Sequence, residues 1–377
     1  MINILIIGVF EGLFLSALLF TKKKRTISDT ILASFFLLYG LNILLSYFEA
    51  YNRQNGFPYP FFIFTSVPLI LLHGPALWFY IKSQTEQHFK FKLIYLLHFL
   101  PFLIILLDCT LRFYILSDQE RIQITINESF KDTFSYPFVV ISIAISTLTY
   151  FTWGLFLLND YNKKIKNYFS QIESIDLHWL KVLLISALTI YSIINTLHIL
   201  DLFTRYAPFG LIQFITFIIG SLYILFLGFF GHQQENIFTT RSIKVDLDKT
   251  TFSAPKPNLL EDADERFIYS LLSYMKEQKP YLNPEITISK LGEELNVTEE
   301  YISSILNSRL NNNFFDFING YRVEEFKLQC IEPKNNNLTL IGIAFNSGFN
   351  SKATFNRVFK KTTGFTPSDY KQSVSEK

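Results

Sequence analysis

The residues best suited to chemistry lie near the C-terminal end of the chain, on a predicted helix that begins after Ser351. Its outer face and last turn carry six residues: Lys352, Ala353, Asn356, Arg357, Lys360 and Lys361. Positions three or four apart share one face of a helix. Arginine and lysine donate hydrogen bonds to guanine and phosphate, and asparagine can bind adenine through two hydrogen bonds. This face therefore predicts contact with double-stranded DNA.

The same predicted helix is the second member of a helix pair that occurs twice. The two copies cover about 286–308 and 338–362. In each copy a small residue, Gly292 or Ala344, is followed four positions later by a turn residue, Asn296 or Gly348. Asparagine and glycine tolerate the left-handed backbone of a tight turn. Two short helices around such a turn predict a helix-turn-helix, whose second helix can enter a major groove.

The second helix of the first copy is predicted to read DNA with its outer face. We expect that face to expose four residues: Glu300, Ser303, Ser304 and Asn307. A continuous helical pattern over Phe314–Cys330 separates the copies and spans about 25 Å. The two reading helices can then occupy successive major grooves, about 34 Å apart.

Charge is distributed unevenly between the two copies. The stretch 285–300 holds five acidic residues against Lys290 alone, whereas the chain from Pro333 onward holds seven basic and two acidic residues. Acidic groups are unfavourable near phosphates, although one glutamate can accept a hydrogen bond from cytosine. We therefore expect the second copy to make most phosphate contacts and the first to contribute discrimination.

These features carry a family resemblance. The stretch Tyr281–Tyr370, which closes with IAFNSGFNSKATFNRVFKKTTGFTPSDY, resembles the AraC/XylS family of transcription regulators. The apolar front of the chain, ending in LYILFLGFFGHQQENIF, is similar to the subgroup with a multi-pass membrane domain. The resemblance implies regulation of gene expression, two helix-turn-helix submotifs and bases read by the two outer faces named above. It also makes RNA polymerase and a second copy of the chain candidate partners.

The first 230 residues are a succession of apolar runs, unlike the rest of the chain. Seven runs of roughly 20 residues are long enough to cross a bilayer core about 30 Å thick. They cover Ile2–Phe20, Ile27–Phe48, Phe61–Ile81, Leu93–Leu116, Tyr136–Leu158, Trp179–Phe203 and Phe209–Phe230. The predicted fold is all-α: a seven-helix transmembrane bundle (1–230), a cytoplasmic linker (231–263) and a double helix-turn-helix domain (264–377).

Basic residues in the short loops predict the orientation, because lysine and arginine are held on the cytoplasmic side. Ten follow the first, third and fifth spans, against five in the alternate loops. This places the N-terminus outside a bacterial cytoplasmic membrane and the C-terminal domain in the cytoplasm.

Ionisable and polar side chains inside the spans are candidates for a ligand site, since burying them in a bilayer is costly. The candidates are His198, Asp201, His73, His98 and Asn195. Each of them can instead bond to a neighbouring helix. Proline and glycine within the spans indicate that the helical bundle has internal space. If the bundle is a sensor, we expect its signal to be an unidentified small molecule or a property of the membrane.

Other functions receive less support from the sequence. Cys109 and Cys330 have no metal-binding spacing and are interpreted as packing residues, and we expect no metal or cofactor. A transporter or membrane enzyme with an appended DNA-binding domain is the alternative. It would need a polar path or a catalytic motif, and neither is visible. A histidine kinase would need an ATP-binding pattern, which is also absent from the sequence.

Overall fold

The computed structural model describes residues 3–86, 89–173, 175–233, 261–335 and 337–375. Within these ranges the chain is helical, and its one extended pairing is an isolated bridge between Phe169 and Thr287. The all-α prediction is confirmed. The predicted linker, 231–263, lies largely outside the described residues.

The chain forms two compact units. The first comprises Met1–Asn159 and Leu177–Asp246, and the second comprises Asp160–Asp176 and Leu247–Lys377. The segment 160–176, which lies between the fifth and sixth predicted spans, is thus part of the second unit.

Eight α-helices begin in the part of the first unit that the structure describes. They are α1 (Asn3–Phe20), α2 (Ile27–Gln54), α3 (Val67–Thr85), α4 (Leu100–Cys109), α5 (Asp118–Ile126), α6 (Ser135–Ile165), α7 (His178–Thr204) and α8 (Phe209–Gln233). Helix α2 starts at a capping box, because Thr26 Oγ1 accepts from the Asp29 amide while the Asp29 carboxylate accepts from the Thr26 amide. Helices α1 and α2 cross closely at two glycines: a Cβ on Gly12 would lie 2.8 Å from the Gly40 Cα.

Six helical segments of the described chain are long and apolar enough to cross a membrane. They are Asn3–Phe20, Ile27–Gln54, Leu93–Tyr114, Ser135–Ile165, His178–Thr204 and Phe209–Leu227. Large apolar side chains such as Phe10, Leu107 and Phe156 remain exposed on these segments, as on a lipid-facing surface.

The third predicted span differs from the structure at its start. A short 3₁₀ turn occupies Pro60–Phe62, and α3 begins only at Val67. This helix is not among the six apolar segments, because Pro68, Pro75, His73 and Lys82 dilute its apolar residues. All seven predicted runs nevertheless contain helix.

Within the described residues, seven α-helices belong to the C-terminal unit, together with the segment 160–176. They are α9 (Glu261–Gln278), α10 (Ile288–Leu295), α11 (Glu299–Ser308), α12 (Phe314–Ile331), α13 (Leu340–Asn346), α14 (Lys352–Thr363) and α15 (Pro367–Ser375). Helix α12 runs through the core, where Phe326 packs against Phe355 and Phe359 of α14. The continuous helix predicted between the two copies is confirmed.

Candidate functional site

The first helix-turn-helix consists of α10 and α11. Asn296 adopts the left-handed conformation, with φ 54° and ψ 43°, as the turn requires. A Cβ on Gly292 would lie 2.7 Å from the Val297 carbonyl oxygen, so only glycine permits this close turn. The Thr298 hydroxyl accepts a hydrogen bond from the Tyr301 amide at 3.3 Å and caps α11.

The second helix-turn-helix consists of α13 and α14. Gly348 has φ +94°, and a side chain there would clash with the Tyr281 carbonyl oxygen. The Ser351 hydroxyl caps α14 by accepting from the Thr354 amide at 3.3 Å. Local turn and cap chemistry therefore determines where α14 begins.

Helix α14 exposes the whole predicted reading face. The exposed residues are Lys352, Ala353, Asn356, Arg357, Lys360 and Lys361. Phe355, Val358 and Phe359 on the opposite face are buried. Lys361 also pairs with Asp316 of α12 at 3.0 Å, so part of its charge is already neutralised.

Helix α11 exposes less of its predicted face. Glu300 and Asn307 are exposed and Ser304 is half-buried. Ser303, by contrast, is only 1% exposed, which contradicts its predicted place on the outer face. Its backbone carbonyl accepts from Asn307 Nδ2 at 2.8 Å, and the small serine packs inward beside Ile302. Helical spacing predicts which residues share a face of α11, but it does not show how much of the helix the neighbouring elements cover.

The acidic pair at the start of α11 has a local structural role. Glu299 and Glu300 lie in the first turn of the helix, where negative charge interacts favourably with the helix dipole. Their charge therefore stabilises α11 as well as disfavouring phosphate near it.

Arg322, on α12, is 2% exposed and ties several loops together. Its guanidinium donates to the carbonyl oxygens of Tyr281 at 2.8 Å and Asn283 at 2.9 Å, and to Asn319 Oδ1 at 3.2 Å. Burial lowers the pKa of Arg322 to about 10, although the charge of Glu173 opposes this shift. The group remains protonated at neutral pH.

The segment 160–176 is bound to this network by backbone and side-chain hydrogen bonds. The Ser170 hydroxyl donates to the Ile286 carbonyl at 2.7 Å, and the Ser170 carbonyl accepts from Asn319 Nδ2 at 3.0 Å and Arg322 at 3.4 Å. The Ile288 amide donates to the Tyr168 carbonyl at 3.0 Å. The segment thus contacts the first helix-turn-helix and α12 together.

Glu173 brings the same segment to the reading face. Its carboxylate lies 4.0 Å from the Arg357 guanidinium, and neither carboxylate oxygen has a hydrogen-bond partner within the described residues. No sequence pattern signalled this contact, because Glu173 and Arg357 lie far apart in the chain.

The first unit contains a partly open cavity of about 480 Å³. Three predicted candidates, His73, Asn195 and His198, line it together. His73 is 3% exposed and its Nδ1 lies 2.8 Å from the Tyr191 hydroxyl, while Asn195 Nδ2 donates to Thr147 Oγ1 at 3.0 Å. His198 Nε2 lies 3.3 Å from the Thr216 hydroxyl.

The other two predicted candidates lie elsewhere. Asp201 is fully buried, pairs with Lys131 at 2.8 Å and does not line the cavity. His98 bonds to the Tyr150 hydroxyl at 2.6 Å and packs on Trp78. Both are accounted for by contacts within the unit.

A buried glutamate was missed in the sequence. Glu49 is 1% exposed and accepts from Gln213 Nε2 at 2.7 Å and from the Ser66 hydroxyl at 3.2 Å. The predicted second span ended at Phe48, whereas α2 continues to Gln54. No group of three or more histidine, cysteine or acidic residues that could hold a metal ion occurs in the part of the chain that the structure describes.

Comparison with known proteins assigns the class of the C-terminal unit. Residues 291–373 match the family model described as a helix-turn-helix domain. This unit therefore contains a helix-turn-helix domain, and the predicted motif is confirmed.

The relatives that match it are named as regulators. An uncharacterized HTH-type transcriptional regulator of Staphylococcus aureus strain COL is 31% identical over 91 residues, which is 24% of this chain and 12% of that protein. A relative from strain MSSA476 matches to the same extent. The chain thus spans about 12% of the length of these relatives.

A solved structure also matches part of the chain. It is a protein of unknown function from Listeria innocua, 31% identical, with 28% of this chain and 94% of that chain covered and a TM-score of 0.25.

Proposed function

We propose that the protein is a membrane-bound, sequence-specific transcription regulator of the AraC/XylS type, which senses a signal through its helical bundle. Its C-terminal helix-turn-helix domain supports DNA binding, and its apolar helices support a membrane location. In this proposal the domain faces the cytoplasm, the N-terminus is outside, and α14 makes most of the contacts with DNA.

The observation that carries the sensing role is the place of segment 160–176. Residues 160–165 are the C-terminal end of α6 and 166–176 lead toward α7, yet the segment belongs to the C-terminal unit. A displacement of either helix therefore pulls on residues hydrogen-bonded to Arg322 and Asn319. Such a coupling needs no separate transmitter protein.

Glu173 provides a route from that segment to DNA affinity. Its carboxylate competes with phosphate for Arg357, since the two charges lie 4.0 Å apart. Moving the segment away leaves Arg357 available to DNA. We propose that a signal acts by shifting the population of this contact.

DNA binding is tested first by chromatin immunoprecipitation with sequencing, which identifies bound promoters. A bound promoter fragment is then titrated with the full chain in lipid nanodiscs, and fluorescence anisotropy gives the Kd. Arg357→Ala and Lys352→Ala should each weaken binding, whereas Lys276→Ala, an exposed change on α9, should leave it unaltered. Unchanged binding in both reading-face variants would show that α14 does not read DNA.

Coupling is tested in the same assay with Glu173→Gln. Surface ion pairs contribute about 0.2–1 kcal/mol, so the variant should bind DNA about 1.5-fold to 5-fold more tightly. Asp160→Asn is the matched control, because it removes one charge from the same segment and Asp160 pairs with Lys164 at 3.1 Å instead. If Glu173→Gln and a disrupting Ile172→Asp both leave DNA affinity and reporter expression unaltered, the segment does not transmit a signal.

The topology is tested with a reporter enzyme fused after residue 232. Activity restricted to the cytoplasm agrees with the proposal. Activity restricted to the periplasm would make DNA binding by this chain untenable.

A further inference from the structure

We infer that the cavity in the first unit is a binding site for an uncharged, mostly apolar small molecule that carries a hydrogen-bonding group. This inference deepens the proposed sensing role and depends on it only for the effect of occupancy on DNA binding. It rests on the size of the cavity, the nature of its walls and two buried polar atoms that have no hydrogen-bond partner within the described residues.

The cavity has the dimensions of a small-molecule site. Its volume of about 480 Å³ falls within the range of about 300–1,000 Å³ found for ligand pockets. Its walls come from several helices of the bundle, with apolar side chains such as Ile70, Ile143 and Phe217. Such walls favour a ligand that is apolar over most of its surface.

The first unpartnered atom is Nε2 of His73. The residue lines the cavity and is 3% exposed, and Nε2 has no hydrogen-bond partner within the described residues. The other ring nitrogen is engaged by Tyr191, and the ring stacks on Tyr39 with 4.6 Å between centroids. The ring is therefore held in place with one nitrogen unsatisfied, a costly arrangement unless something binds there.

The second unpartnered atom is Oε1 of Gln213. The residue is 5% exposed and also lines the cavity, and its amide nitrogen donates to Glu49 Oε1 at 2.7 Å. With the nitrogen engaged in this way, Oε1 is an acceptor that has no hydrogen-bond partner within the described residues. A hydroxyl or N–H group on the ligand would satisfy it.

The charge of the lining argues for an uncharged ligand. Asp108 and Arg112 are its charged members, and they pair with each other at 2.8 Å. The polar groups deeper in the lining, including Asn42 and Asn195, are neutral. An ion would therefore enter without a counter-ion, at a high desolvation cost.

Two sources could supply such a molecule, the bilayer and the aqueous phase, and photoaffinity labelling can distinguish them. The full chain in nanodiscs is exposed either to a diazirine-bearing long-chain alcohol dissolved in the lipid or to a diazirine-bearing aryl alcohol added from water. Mass spectrometry then locates the adducts. Adducts on two faces of helix α6 can be compared directly. Val139 and Ile143 line the cavity, whereas Ile141 and Ile145 are 47% and 62% exposed on the outer surface.

We expect adducts on Val139 and Ile143 with at least one probe, and the successful probe identifies the source. His73→Phe keeps the aromatic ring but removes the hydrogen bond to the ligand, so cavity labelling should fall about five-fold. His98→Phe is the matched control, because His98 also bonds to a tyrosine but lies outside the cavity; its labelling should match the wild-type chain. Ile143→Phe, which fills the cavity, should reduce labelling at Val139.

Adducts confined to Ile141 and Ile145 with both probes would overturn the inference, because the cavity would then hold at most water. This decision uses the wild-type chain and does not depend on whether a variant folds. DNA binding is measured on the same samples. Cavity labelling without DNA binding would contradict the proposed regulator but support the binding site. DNA binding without cavity labelling would contradict the binding site but support the proposed regulator.

Discussion

Replacing Arg322 with methionine should loosen the C-terminal unit strongly. The guanidinium donates two short hydrogen bonds, to the carbonyls of Tyr281 and Asn283, and weaker ones to Ser170 and Asn319. Hydrogen bonds from charged donors contribute about 1.5–3 kcal/mol each, so the two short bonds together supply about 3–6 kcal/mol. Methionine relieves the cost of burying a charge, which offsets part of this loss. We expect a net destabilisation of about 3 kcal/mol.

Hydrogen exchange followed by mass spectrometry measures this change in the full chain. A loss of about 3 kcal/mol raises the population of the open state about 100-fold. Amides of α12 and of 166–172 should therefore exchange about 100-fold faster in Arg322→Met. Arg309→Met is the control, because Arg309 is exposed and pairs with Asp264 at 3.2 Å; it should change exchange less than about five-fold.

The result also separates two explanations. If 166–172 stays protected in Arg322→Met while α12 exchanges faster, Arg322 supports α12 alone. If neither stretch exchanges more than about five-fold faster, the hydrogen bonds of Arg322 do not hold the unit together.

Four further outcomes are expected. Arg357→Ala should weaken promoter binding by about 1–3 kcal/mol if the guanidinium reads a base. If Lys352 contacts phosphate, Lys352→Ala should weaken binding to all sequences and lower the slope of log Kd against log salt by about one. Anisotropy across salt concentrations measures both effects, and equal salt slopes for Lys352→Ala and the wild-type chain would contradict the phosphate role. Gly348→Ala should destabilise the second turn by more than about 1 kcal/mol, because φ is +94°; exchange in α13 and α14 that matches the wild-type chain would contradict this. Burial alone would raise the pKa of the Glu325 carboxyl, but hydrogen bonds from Gln329, Lys279 and Tyr281 and the charge of Lys279 lower it overall. The stabilising effect of the ionised Glu325 is thus complete above the unfolded pKa of about 4.3 and is lost as pH falls through the folded value. Glu325→Gln should therefore make the hydrogen-exchange protection of α12 less dependent on pH in the acid range. The same pH dependence in both proteins would contradict this.

Much of the C-terminal unit could be predicted because its turns and helix caps are specified by residues close together in the chain. Asn296 and Gly348 require left-handed turns, and Thr298 and Ser351 cap the helices that follow, so chain neighbours alone specify the two helix pairs. The apolar helices could be predicted equally well, because runs of about 20 apolar residues match the thickness of a bilayer core.

The sequence by itself therefore determined the helices, the repeated turns and the outer face of α14. Tertiary structure decided the rest. Ser170 and Arg322 lie 152 positions apart, and no periodicity encodes a hydrogen bond across that distance. Ser303 is buried by neighbours that helical spacing does not reveal, and His73, Asn195 and Gln213 meet around one cavity only because three helices pack together. Local propensity acts between residues a few positions apart, whereas burial and polar pairing are decided by the packing of distant segments.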